Sequence, residues 1–226
     1  MNNPDAEFEQ ELRSFDNDVD EAVQCFYIWR TVHAAARGSR KVYDMLNRNS
    51  GFWNVALGSI QANSLIALGR IFDKNPRTHN VKRLLKLAED NPAVFSKHAL
   101  RQRKSKILAD NTGLLEDYMR NVHDPSPADF KRLQSFVDAR RKVYERCYKQ
   151  LRDKRYAHRE RTNISTVFAQ ADIRELAQLV TDLSKLHRVL WDWQQNGIRP
   201  RTNRLRGTAG NQTRRDTLKF LKSLIE

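Results

Sequence analysis

Cysteine, glycine and proline are all scarce in this chain: two, eight and six of 226 residues. Cys25 and Cys147 have neither metal-ligand spacing nor a pairing pattern, and each falls in an apolar helical stripe. That marks reduced thiols and excludes a disulfide framework or a zinc knuckle. So little glycine and proline excludes collagen-like and low-complexity chains and points to long regular elements. Long apolar runs are missing too. The most apolar stretch, 52–72, is broken by Asn54, Gln61, Asn63, Ser64 and Arg70, so no membrane span is expected. The opening Met1-Asn2-Asn3-Pro4-Asp5 is polar and then acidic, unlike a signal peptide, and the reading is a soluble cytoplasmic protein. Catalytic signatures are equally sparse: no phosphate-cradling glycine loop, no HExxH and no paired-carboxylate motif. His33, His79, His98, His123, His158 and His187 are scattered, so neither a metal nor a cofactor is expected.

What the chain has in plenty is positive charge. There are 41 Lys and Arg against 27 Asp and Glu, a net +14 with a pI near 10.1. Such a balance fits a polyanionic partner, nucleic acid above all, or a basic surface that only keeps the protein soluble. Its distribution is uneven. Residues 1–24 carry eight acids and one Arg, whereas 97–106 carry five bases and no acid. Residues 131–161 hold twelve bases against four acids, and 197–226 hold eight against two.

Apolar residues recur at helical spacing almost everywhere. The pattern predicts a first helix over 5–47 with a break, and a second, largely buried one over 51–73. Short helices are predicted at 81–90, capped by Asn80, and at 92–108, opened by Asn91-Pro92. Ser126-Pro127-Ala128-Asp129 reads as a capping box opening a long helix with Phe130, Leu133, Val137, Tyr144, Tyr148 and Leu151 on one face. Residues 171–196 form another helix stopped by Gly197, and Thr213-Arg214-Arg215-Asp216 caps a short terminal one. Only 164–168 looks β-like, too short to form a sheet alone. The expected fold is an all-α bundle of long antiparallel helices over 1–196, with 197–226 a basic linker and terminal helix.

One short stretch stands out chemically: Leu151-Arg152-Asp153-Lys154-Arg155-Tyr156-Ala157-His158-Arg159-Glu160. It ends the most basic long helix. On a straight helix at about 100° per residue, Arg152 and His158 lie about 120° apart and converge only near a helix end or against a partner chain. Together the two side chains suffice for RNA cleavage without metal. A His with its ordinary pKa near about 6.5 takes the proton from a ribose 2′-OH or returns one to the leaving 5′-oxygen. An Arg grips the scissile phosphate in bidentate fashion. Asp153 orients Arg152 or fixes the His tautomer. One His per chain leaves the acid or the base unfilled, and a two-fold dimer supplies the other. The plainer reading of the same residues is a solvated basic helix end whose cations offset the helix dipole.

These residues resemble the Rx4–6H motif of the HEPN superfamily, in particular its abortive-infection branch, where the usual form is LR(N/D)K…AH. The likeness extends upstream: Ser64-Leu65-Ile66-Ala67-Leu68-Gly69-Arg70-Ile71-Phe72-Asp73, followed by Asn80-Val81-Lys82-Arg83-Leu84-Leu85, is similar to the ALxRLFD…SLxxLL segment of those proteins. Together the segments span roughly 20–195, and 197–226 has no recognised counterpart. The resemblance implies a helical bundle that dimerises so that two motifs form one composite cleft. It further implies a metal-independent endoribonuclease leaving 2′,3′-cyclic phosphate ends, a toxin or phage-defence effector with RNA as substrate. An antitoxin or another defence-system protein would be its partner. By that likeness Arg152 binds and polarises the phosphate, Asp153 is the polar aligner and His158 the general acid or base. Members that have lost catalysis only bind nucleic acid or partners, which leaves a non-catalytic binding protein, or a scaffold for an acidic partner, as rivals.

Other candidates are weaker. Arg155, Tyr156 and Arg159 flank the motif as RNA contacts, Tyr156 by stacking on a base. Lys97, Arg101, Arg103 and Lys104 either meet RNA phosphates or form a solvated face. Arg70 and Asp73, three apart at a helix end, read as a structural ion pair or as support for the site. Arg199, Arg201, Arg204, Arg206, Arg214 and Arg215 suggest a mobile phosphate-binding arm. Trp191 and Trp193 continue an apolar stripe as core or dimer anchors. The acidic 5–21 stretch is a solvated face or an internal mimic of phosphate.

Overall fold

Asn3 starts the first helix by accepting the Asp5 N–H on its side chain at 3.1 Å, with Pro4 in the first turn where its missing N–H costs nothing. In the computed structural model, which describes residues 3–108, 112–153, 172–199 and 209–226, this helix, α1, runs over Pro4–Gly38. Phe8, Leu12, Phe15, Val19, Ala22 and Phe26 are all buried along it. That alternating four-and-three spacing keeps one apolar seam facing inward for most of the helix length, roughly 50 Å at 1.5 Å per residue. Ser39 then breaks the chain and caps α2 (Arg40–Arg48) through its hydroxyl.

Helix α3 (Ser50–Ile71) lies antiparallel to α1, but only its second half is buried. Phe52 is 66% and Val55 71% exposed, so the expectation of a largely buried second helix holds only from Leu57 onward. Asn80 caps α4 (Val81–Asp90), its side-chain oxygen accepting the Arg83 N–H at 2.9 Å. The helix expected over 92–108 is divided. Pro92–Phe95 makes a single 3₁₀ turn, and Ser96 caps a separate α5 (Lys97–Ile107). Helix α6 (Thr112–Met119), unseen in the sequence pattern, packs Leu115 and Met119 against Leu100 of α5.

Helix α7 (Pro127–Val143) opens on the expected box: buried Asp129 accepts the Ser126 N–H at 2.9 Å. Its partner α8 (Ile173–Asn196) crosses it through Asp182, which accepts from Nε and Nη2 of Arg140 at 3.0 and 2.7 Å. Gly197 ends α8 at φ +60°, and a Cβ there would meet Leu100 and Val122 at 2.7 Å, so only glycine fits. Trp193, fully buried, stacks on Phe95 at 4.7 Å and tilts against Phe130 at 4.9 Å, where truncation to alanine would cost about 3–5 kcal/mol. Trp191 instead is 46% exposed and takes no part in the core.

The terminal helix α9 (Asn211–Ser223) begins two residues before the expected Thr213 cap, with Gly210 at its N-cap against the Tyr27 ring. It docks on α1 and α2: Leu221 joins Val32, Val42, Met45 and Leu57 in a second apolar cluster. Arg214 lies over the Tyr27 ring at 5.2 Å, so this part of the basic extension is a docked element rather than a free arm. Among the described residues the fold is all-α, and no helix is long and apolar enough to cross a membrane. The β-like stretch 164–168 and Arg201, Arg204 and Arg206 lie outside those residues.

Candidate active site

After Val143 the helix that carries the motif loosens. Tyr144–Tyr148 winds as a π-helical turn, Lys149–Leu151 returns to α geometry, and Arg152 and Asp153 are π-wound again. Regular α winding, which the angle of about 120° between Arg152 and His158 presupposes, therefore ends before the motif begins. Wide turns of this kind recur at functional sites because they re-aim side chains without ending the helix. Here the Tyr148 hydroxyl donates to the Asp172 carbonyl at 2.6 Å and ties the turn to the start of α8.

Arg152 is brought onto the face of α3. Its side chain is 29% exposed and lies across Gly69, where a methyl group on the glycine Cα would sit 2.8 Å from Cδ. Its Nε donates to Oδ1 of Asp153 at 2.7 Å, and Nη2 approaches the same oxygen at 2.5 Å. Tyr144 is near the same place: its ring stacks on Phe72 at 5.1 Å, and its buried hydroxyl has no hydrogen-bond partner among the described residues. Burial pushes that hydroxyl up to a pKa of about 12; the Arg152 charge opposes the shift, and the carboxylates of Asp153, Asp73 and Glu145 add to it. One guanidinium thus binds Asp153 and acts by its charge on Asp73 and the Tyr144 phenol at the junction of α3 and the π-wound turn. A cation held this way can take a phosphate oxygen while its geometry is set by the protein.

Arg70 and Asp73 do not pair with each other. Arg70 reaches back to α1, donating to Asp18 at 2.6 Å and pairing with Glu21. Asp73 instead organises the following turn, accepting from the Asn75 N–H at 3.1 Å and the Thr78 hydroxyl at 3.0 Å. The Asn75 bond is the main reason its carboxyl is held below the usual range, with the Arg152 charge contributing last. The expected ion pair is therefore replaced by two separate sets of contacts, one of which borders Arg152.

The basic α5 candidates are mostly spent within the fold. Arg103 donates to Asp5 at 2.8 and 3.0 Å and to the Val94 and Gln194 carbonyls at 2.9 and 2.8 Å. Arg101 makes a bidentate pair with Glu116 at 2.6 and 2.8 Å. Lys104 lies over the Tyr118 ring at 4.9 Å, leaving Lys97 exposed at the helix start. The acidic stretch of α1 has the matching role. Asp5 takes Arg103, Glu11 takes Arg83 at 2.8 Å and His79 at 3.0 Å, Asp16 takes His187 at 2.9 Å, and Asp18 takes Arg70.

His158, Arg155, Tyr156 and Arg159 lie outside the described residues, so Arg152 and Asp153 are the members of the motif whose surroundings are seen. Two neighbours escape sequence reasoning. Tyr144 reads there as one more apolar-face residue. Gly69 does carry a signal, a glycine inside a helix, which usually has a packing reason. Among the described residues no group of three or more His, Cys, Asp or Glu is placed to hold a metal ion. A family model described as AbiU2, of the HEPN type, matches residues 5–206. No curated protein and no solved structure matches the chain.

Proposed function

The chain belongs to the AbiU2 family of HEPN proteins, and from that premise we propose that it is a metal-independent endoribonuclease acting in abortive infection. The observation that carries the reading is the seating of Arg152, oriented by Asp153 and backed by α3, at the entry to a stretch that contains His158. Arg152 holds the non-bridging oxygens of the scissile phosphate. His158 takes the proton of the ribose 2′-OH, whose oxygen attacks phosphorus and displaces the 5′-oxygen. The products are a 2′,3′-cyclic phosphate and, once the leaving oxygen gains a proton, a 5′-hydroxyl.

Proton removal and proton return need two groups, and the motif of one chain contains one His. A homodimer that brings two motifs into one cleft supplies both, so a second copy belongs to the proposal, with RNA as the substrate and a silencing antitoxin as a further partner. The test incubates wild type, Arg152→Ala and His158→Ala with total RNA and with tRNA, with and without EDTA, and maps the ends. Cleavage by wild type alone, indifferent to EDTA and leaving cyclic phosphates, is expected. Salt-sensitive RNA binding without cleavage by any of the three would replace the enzyme with a binding protein.

A further inference from the structure

Gly69 lies within α3, in ordinary helical conformation, where the backbone makes no demand for glycine. A glycine there gives up the stability an alanine would add. Gly58 in the same helix has nothing within 4 Å of the place a Cβ would take. At Gly69 the same Cβ would collide with the Arg152 guanidinium and lie 2.8 Å from Cδ and 3.2 Å from Cζ. The space a side chain would fill is occupied by an arginine from 83 positions further along the chain.

We propose that Gly69 is a positioning residue: its missing side chain forms the seat on which Arg152 lies, and the seat aims the guanidinium. The walls of the seat agree with this. The Tyr144 phenol, its ring stacked on Phe72 and its hydroxyl without a partner among the described residues, feels the Arg152 charge, and Asp73 and Asp153 set negative charge around the guanidinium. Because the colliding atoms are the far end of a flexible side chain, a methyl group at 69 displaces Arg152 rather than α3. The Nε bond to Asp153 is then lost along with the position. The catalytic consequence rests on the reading of Arg152 as the phosphate-binding group, whereas the packing consequence does not.

The experiment places Gly69→Ala and Gly58→Ala in the wild-type and the Arg152→Ala chains and follows Tm and single-turnover RNA cleavage. Gly58→Ala should raise Tm in both backgrounds. Gly69→Ala should lower Tm in the wild type and raise it once Arg152 is alanine, a reversal that no general helix effect produces. A Gly69→Ala chain that folds only in the Arg152→Ala background reports the same coupling. In the wild-type background Gly69→Ala should cut the maximal cleavage rate by about tenfold or more, as misplacing a catalytic group does. The pH of half-maximal rate, set by His158, should stay where it was, and Gly58→Ala should cleave as wild type does. Equal Tm changes from Gly69→Ala in the two backgrounds, or full cleavage by Gly69→Ala, overturns the proposal. A wild-type chain that cleaves no RNA overturns the function proposed above, while the Tm reversal still decides the seat.

Discussion

Arg152 and Asp153 are neighbours in sequence and partners in space, Nε of the first donating to Oδ1 of the second at 2.7 Å. Successive residues on a helix do not face each other, so the arginine side chain has to turn back to make this bond. The contact fixes where the remaining guanidinium N–H groups are aimed. Asp153→Asn keeps an oxygen acceptor without its charge and should slow single-turnover cleavage by about tenfold; Asp153→Ala loses both and should cost about a hundredfold, the scale of a charge-assisted hydrogen bond. Identical rates for all three chains would take Asp153 out of the site.

Arg103 shows how a base in a basic segment can serve the fold instead of a ligand. Its guanidinium, on a side chain 14% exposed, binds Asp5 and two main-chain carbonyls and so joins α5 to α1, the 3₁₀ turn and α8. Arg103→Ala would leave Asp5 with only the Gln194 amide, at 3.2 Å, and would take the guanidinium from both carbonyls, and it should destabilise the chain by about 2–4 kcal/mol in urea unfolding. Lys97→Ala, at an exposed position, should stay within about 0.5 kcal/mol of wild type. Similar small effects from both would make Arg103 a candidate RNA contact again.

The proposed pairing of motifs has a numerical signature. When wild type and His158→Ala are unfolded together in equal amounts and refolded, random assortment makes about a quarter of the dimers wild type in both halves. If each cleft needs both histidines, the activity of the mixture should drop to about that quarter of an all-wild-type sample, whereas self-sufficient chains would retain about half. Sedimentation of the same mixture verifies that dimers have re-formed. A retained half would assign proton donor and acceptor to a single chain.

Features that depend on a few adjacent residues are legible in the sequence. The Asn80 cap, the Ser126–Asp129 box and the Gly197 stop are each set by local backbone chemistry. Arg152 and Asp153 stand out through resemblance, and they stand together in the fold. What is hidden depends on distant partners. Arg70 sits three residues from Asp73 yet pairs with Asp18 and Glu21, because α1 and α3 run side by side. The acids of α1 look like a solvent face until the helices opposite them are in place. Likewise, nothing local in Tyr144–Tyr148 announces a π turn, and nothing near Gly69 names Arg152 as the occupant of its space.

Asp129 connects the long motif helix to pH. Its carboxylate is 1% exposed and accepts from the Ser126 N–H at 2.9 Å, the Ser126 hydroxyl at 2.7 Å and His123 Nε2 at 3.0 Å, and it also pairs with Arg132. Burial alone would raise its pKa, but these donors, the Ser126 hydroxyl and N–H foremost, outweigh burial and hold it far below the usual carboxylate range. In the unfolded chain it would titrate near about 3.9. A group whose pKa is lower in the folded state contributes stability that is complete above the unfolded value and fades as pH falls. Wild type should therefore lose stability from about pH 5 downward more steeply than Asp129→Asn, which cannot ionise. At pH 7 the asparagine variant should be less stable by about 1–3 kcal/mol, since it offers weaker acceptance to the same donors. The difference between the two chains should narrow as pH falls toward about 2, because the unfolded wild-type chain takes up a proton on Asp129 there while the folded carboxylate, still held by its donors, does not. Urea unfolding at a series of pH values measures both arms, and a gap that stays constant down to that pH would mean that Asp129 does not carry the acid sensitivity of α7.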